Sequence, residues 1–100
     1  MRIYVAGPMS AETHTRIAGN VFQACLIAKE IIRKGHFPFI PHLFWFLGLE
    51  RSWQWWMDFD DVWLRQCEAL FYIGPSPGAD IELARAKERG MKVFYSLDEL

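Results

Sequence analysis

Cysteine is scarce in this chain, and neither a basic excess nor a long apolar run is present. Cys25 and Cys67 are the only cysteines among 100 residues. Neither belongs to a C-x-x-C pair or a Cys/His cluster, which argues against a redox dithiol and a zinc site. Both fall on apolar stripes of helical patterns and read as reduced core residues of a cytoplasmic protein, not as a disulfide. The 11 Lys and Arg against 12 Asp and Glu leave a net charge of −1. That balance gives no footprint of an electrostatic nucleic-acid binder. No apolar run reaches the roughly 18 residues that a membrane span needs. The opening Met1–Gly7 is too short for the apolar part of a secretion signal before it meets Pro8. The expectation is a soluble protein with no membrane partner. Neither G-x-x-x-x-G-K-S/T nor G-x-G-x-x-G occurs, so ATP and dinucleotide readings lack support and no cofactor is expected. His14, His36 and His42 have no metal-ligand spacing, read as loop and strand-end histidines, and predict no metal.

Apolar and aromatic side chains are what the chain has in excess. Hydrophobic residues make up 52% of it, and five of its 100 residues are tryptophan. One hundred residues make one small domain, 1–100, whose core cannot hide so much aromatic surface. Some of it is expected at a pocket or between subunits of a homo-oligomer, a dimer or higher.

The pattern along the chain alternates strand and helix. Ile3–Ala6 reads as a buried strand stopped by Gly7-Pro8, followed by a small polar loop, Gly7–Thr15. Val21, Ala24, Cys25, Ala28, Ile31 and Ile32 then mark one helical stripe, which Gly35 ends. His36–Ile40 is a second strand, weakened by Pro38, and His42–Ser52 an irregular, lid-like aromatic connection. Gln54–Gln66 is the second helix, Ala69–Ile73 the third strand, Gly78–Arg89 the third helix with Gly90 as its stop, and Lys92–Tyr95 the fourth strand. Such alternation predicts a parallel sheet with right-handed crossovers.

Ser76-Pro77-Gly78-Ala79-Asp80-Ile81-Glu82 opens the third helix directly after an apolar strand. Ser76 suits an N-cap, Pro77 the first helical position, and Gly78 a close approach of backbone or ligand. Glu82 shares a stripe with Ala79 and Ala86, away from the polar face, which points it toward the sheet edge where open α/β sheets bind ligands. An ordinary capped surface helix fits the same residues equally well. In the second helix, spacing separates three aspartates. Gln54, Asp58, Asp61 and Arg65 make a wet polar face on which Asp61 and Arg65 can pair. Asp60 instead joins Trp53, Trp56, Trp63 and Cys67, where lost hydration should raise its pKa. The alternative is a structural aspartate bonded to loop N–H groups.

If Asp60 and Glu82 meet, the pair has the apparatus of retaining glycoside chemistry, a nucleophile and a proton carrier about an oxocarbenium-like transition state. Glu82, near a helix N-terminus, is expected to be the ionised nucleophile, and Asp60 to carry the proton. Trp56 and its neighbours would wall a base, while Ser76, the helix N-terminus and the loop Gly7, Pro8 and Ser10 offer donors to a phosphate. Arg16 could add charge. Asn20 either faces the site or bonds the loop.

Ile3-Tyr4-Val5-Ala6-Gly7-Pro8, Asp60 eight residues before Glu68, and Ser76-x-Gly78-x-x-x-Glu82 together resemble the nucleoside 2-deoxyribosyltransferase superfamily, over nearly the whole chain. The closest likeness is to its short bacterial and phage branch. The resemblance implies a small flavodoxin/Rossmann-like three-layer α/β fold with a four- to five-stranded parallel sheet, no metal, and oligomers that share sites. It implies Glu82 as the sugar-capturing nucleophile, Asp60 as its proton partner, and Tyr4 as the hydrogen-bond donor to Glu82. Ser76 stands where transferases often carry Asp and where nucleoside 5′-monophosphate N-glycosidases carry a phosphate-binding serine. Glu68 replaces the usual Asp, and the tail that completes a neighbouring site in the characterised groups is expected to be missing after Leu100. The leading expectation is therefore a nucleotide N-glycosidase acting on a small-molecule substrate, not a nucleic-acid polymer. A base-exchanging deoxyribosyltransferase and a nucleotide-binding module without turnover are the alternatives.

Overall fold

Helical crossovers return the chain to the same end of a sheet, so strands joined by them run parallel. The computed structural model describes residues 1–100. In it β1 (Arg2–Ala6), β2 (Phe37–Phe39), β3 (Ala69–Tyr72) and β4 (Lys92–Phe94) form one sheet in the order β2-β1-β3-β4, with every pair parallel. The connections are made by α1 (His14–Arg33), α2 (Trp53–Leu64) and α3 (Pro77–Glu88). This is a small three-layer Rossmann/flavodoxin-like α/β fold, and its sheet has the smaller of the two expected strand numbers. No helix is long and apolar enough to cross a membrane.

Two cores follow from the period-two alternation of β1 and β3. Ile3 and Val5 of β1, with Ala69 and Phe71 of β3, face Ala24 and Ile31 of α1. Tyr4, Ala6 and Leu70 face the other way, against Leu64 of α2 and Ala79 and Ala86 of α3. The alanines let helix backbones lie close to the sheet. Burying an aliphatic side chain as fully as Ile31 or Leu64 contributes about 1.5–3 kcal/mol each.

Local chemistry sets the helix starts. The Thr13 hydroxyl accepts the Arg16 N–H at 3.2 Å, so α1 begins at His14, inside the segment expected to be loop. Ser52 caps α2 at the Trp55 N–H, 3.1 Å away, and Ser76 caps α3 at the Ala79 N–H, also 3.1 Å. Ile32 is 59% exposed and lies off the buried stripe of α1, which runs through Val21, Ala24, Ala28 and Ile31. The expected lid is not irregular throughout, because Pro41–Leu47 forms a 3₁₀ helix that ends at Gly48. Pro38 sits in the middle of β2, the edge strand, opposite Ile3 of β1.

The wet face assigned to Asp61 is also corrected. Asp61 is buried at the seam between α2 and α3, where three arginines meet it. Arg65 lies 3.0 Å from it, Arg89 2.9 Å and Arg85 3.5 Å. The partners that bury it come from α3, which the spacing of α2 alone does not reveal. Met57, Asp61 and Leu64 are the buried stripe of α2.

Strand order reverses between β1 and β3, and the crevice beyond their carboxyl ends is the switch point of such sheets. Gly7, just past β1, is pressed against Ile73, just past β3. A Cβ on Gly7 would lie 2.9 Å from the Ile73 Cβ. Only glycine allows the two strand ends to come this close.

Candidate active site

A cavity of about 920 Å³ opens at that switch point. It lies within the size range of small-molecule sites. The loop after β1 supplies Gly7 and Ser10, and the segment after β2 supplies His42, Phe44 and Trp45. α2 gives Trp53, Trp56, Met57 and Asp60, and the start of α3 gives Ser76, Gly78 and Glu82. Asp60 and Glu82 thus line one cavity from two different helices. Gly78 forms floor: a Cβ there would meet Met57 Sδ at 3.3 Å.

Behind Glu82 stands Tyr4, fully buried on β1, whose hydroxyl donates to Glu82 Oε2. The contact exists because Tyr4 belongs to the half of β1 that faces α3 and not to the half that faces α1. Burial drives the Glu82 pKa up to about 8, against the bond from Tyr4 and the charge of Arg85, with Asp60 and Asp61 adding to the rise. The expectation of an ionised resting glutamate is therefore corrected. Glu82 lies beyond the first turn of α3, where the helix dipole is weak, and desolvation outweighs it. Burial also raises Asp60, to about 6, and its Oδ1 is buried without a hydrogen-bond partner. The Tyr4 hydroxyl is pushed well above its ordinary value by burial and by both carboxylates, so it remains a donor.

At pH 7 the two carboxyl groups accordingly hold one proton between them. One nucleophile and one acid need that complement, whichever oxygen carries the proton at rest.

Phe44 and Trp56 line the cavity with ring centroids 6.4 Å apart, and Phe59 and Trp55, which are not part of the lining, pack against them. Phe44 meets Phe59 edge-on with ring centroids 5.1 Å apart, Phe59 stacks on Trp55 at 5.3 Å, and Trp55 meets Trp56 at 4.9 Å. Trp63 turns away from the cavity and stacks on Phe39 at 5.1 Å, which in turn stacks on Tyr4 at 5.7 Å. The stripe of Trp53, Trp56, Asp60, Trp63 and Cys67 therefore divides. Its first three members line the cavity and Trp63 props the tyrosine.

Three of the expected substrate-binding residues stand elsewhere. Arg16 is exposed and borders a separate shallow depression with Glu12, Gly19 and Asn20, because α1 starts early and carries it outward. The Asn20 side-chain amide is taken by the Met9 carbonyl at 3.1 Å, so it holds the loop. Pro8 is not part of the cavity lining, whereas its neighbour Gly7 is.

His42 is the residue that sequence reasoning missed. It is 2% exposed, its Nε2 lies 3.2 Å from the Gly7 carbonyl, and burial lowers its pKa, so it is neutral at pH 7. It ties the segment after β2 to the loop after β1. Its position directly beyond the carboxyl end of a parallel strand was the available signal. No group of three or more His, Cys, Asp or Glu is placed to hold a metal ion.

Residues 1–96 match a family described as a domain of unknown function (DUF7768), and the chain belongs to that family. No curated protein matches it.

Proposed function

We propose that this protein is an N-glycosidase that cleaves the base–sugar bond of a nucleoside or deoxynucleoside 5′-monophosphate, after the manner of the nucleoside 2-deoxyribosyltransferase superfamily. The observation that carries the reading is the pairing of Asp60 with Glu82 in one tryptophan-walled cavity, with Tyr4 bonded behind Glu82.

The Glu82 carboxylate attacks C1′, the C1′–N bond breaks, and its electron pair leaves with the base. Asp60, in its acid form, protonates the departing base. Water then attacks C1′ of the glycosyl ester and gives its proton to Asp60, and Glu82 leaves as carboxylate. The reaction starts with the shared proton on Asp60. Moving it there from Glu82 spans the gap between about 8 and about 6. That gap corresponds to a few kcal/mol, a modest part of an enzymatic barrier.

The Ser76 oxygen accepts the Ala79 N–H, which leaves its own O–H free to donate to a 5′-phosphate at the start of α3. Monophosphates should therefore be cleaved faster than nucleosides. Loss of one charge-assisted bond, about 1.5–3 kcal/mol, would reduce that ratio by one to two decades.

The proton resting on Glu82 favours a second reading, a nucleotide-binding module without turnover. Incubation with the common nucleosides and 5′-monophosphates, followed by chromatography for free base, decides between them. Base release that Glu82→Gln abolishes supports the enzyme; a thermal shift with nucleotides and no base release supports the module. Adding a second free base tests transfer, which shares the glycosyl intermediate and differs in what takes the sugar. The reading extends to a homo-oligomer in the cytoplasm. Exposed Phe46, Leu47 and Trp53 beside the cavity and two free cysteines support it.

A further inference from the structure

One carboxylate, Asp61, faces three guanidinium groups at the α2–α3 seam, so two positive charges there are uncompensated. Arg89 Nη2 lies between both Asp61 oxygens, 2.9 Å from Oδ1 and 3.0 Å from Oδ2. Arg65 Nε takes Oδ2 at 3.0 Å from the solvent side. Arg85 is held differently. Its Nη1 reaches Asp61 Oδ1 at 3.5 Å and the Met57 carbonyl at 3.4 Å. Met57 lines the cavity, and Arg85 follows Glu82 by three residues on α3, hence one turn along the same face. The guanidinium is thus fixed behind the cavity wall, anchored to the helix that bears Asp60 and adjacent to the residue that bears the nucleophile.

We infer that Arg85, held by Asp61 and the Met57 carbonyl, is a positioning residue that places a positive charge behind Glu82, so that the arginine cluster is an electrostatic control built behind the site. This rests on the proposed role of Glu82 and adds the group that regulates it. Around Glu82, β1 contributes Tyr4, α2 contributes Asp60 and Asp61, and α3 contributes Arg85, with His42 neutral across the cavity. On that side β3 contributes Leu70 and Tyr72, whose hydroxyl donates to Asp80 of α3 at 2.7 Å, β4 contributes Val93, and Cys67 lies just before β3. Arg85 is the only cation in that set. Asp61 partly screens it, and whatever weakens the Asp61–Arg85 contact strengthens the pull of Arg85 on Glu82. A purely structural clamp would have no such sign.

The test is a pH titration of the Glu82 carboxyl by carbon-detected NMR on the substrate-free protein, assigned by comparison with Glu82→Gln. Arg85→Met should raise the Glu82 midpoint, and Asp61→Asn should lower it, each by roughly 0.5–1 pH unit for a single partly screened neighbouring charge. Arg65→Gln, which removes the outer partner of Asp61, should leave the midpoint in place. Shifts of the same sign in Arg85→Met and Asp61→Asn, or no shift in either, overturn the inference. Should Asp61→Asn fail to fold, Arg85→Lys decides: lysine must hold the midpoint that methionine moves, and an equal shift in both overturns it. The readout needs no turnover. Opposed shifts in a protein that releases no base would remove the glycosidase reading and leave the electrostatic coupling standing.

Discussion

Glu82 keeps its proton to a higher pH in the folded protein than its ordinary 4.5, because ionising it inside the cavity is costly. The stability that this group contributes is full below about 4.5 and is lost as pH rises through about 8. Asp60 has the same sign between its ordinary 3.8 and about 6. Glu82→Gln should therefore gain stability over the parent at pH 9 and gain little at pH 5. The difference, on the order of a few kcal/mol, would appear in paired thermal melts as roughly 4–8 °C per kcal/mol. Equal offsets at both pH values would mean that Glu82 is not desolvated as described. If base release proceeds as proposed, the active population is the pair holding one proton. A bell-shaped profile with limbs near 6 and 8 is expected for base release, and a flat rate from pH 5 to 9 would refute it.

Three aspartates on one helix answer to three environments, and α2 is the element on which they are told apart. Asp58 is exposed and bonded to Gln54, Asp60 faces the cavity, and Asp61 is buried among arginines. Asp60→Asn should lower base release by about 10²–10⁴-fold with the melting temperature nearly kept, while Asp58→Asn changes neither. Asp61→Ala leaves three guanidinium groups crowded without a counter-charge and, since all three reach solvent, should cost about 1–3 kcal/mol of stability, measurable by urea denaturation. Similar losses of activity in Asp58→Asn and Asp60→Asn would break this ranking. Much of this was legible in the sequence. The strands and helices, the caps at Ser76 and the separation of Asp60 from Asp58 all follow from local spacing and cap chemistry. Asp61 was not legible, since Arg85 and Arg89 reach it from a helix more than twenty residues away. Nor was His42, whose burial depends on the loop after β1 folding over it. The pKa of Glu82 was misjudged for the same reason, because helix position is a local property and burial is not.

At the scale of the whole molecule, a sheet of four strands with helices on both faces leaves much aromatic surface outside. Phe37 is 71% exposed, Phe46 69% and Leu47 64%. Sedimentation is expected to show mass growing with concentration, and Phe46→Ser with Leu47→Ser should reduce it; a fixed monomer mass would count against association. Were copies to associate, β2 would limit the manner of it. The Phe37 N–H turns inward to the Met1 carbonyl, at 2.9 Å, so the next residue along the strand turns its backbone nitrogen outward. That residue is Pro38, which has no hydrogen to offer. A strand from another copy would find at this edge no donor where the ladder requires one. Copies that associate would meet at this edge through side chains and not through an extended ladder, so the sheet has no growing end on the β2 side.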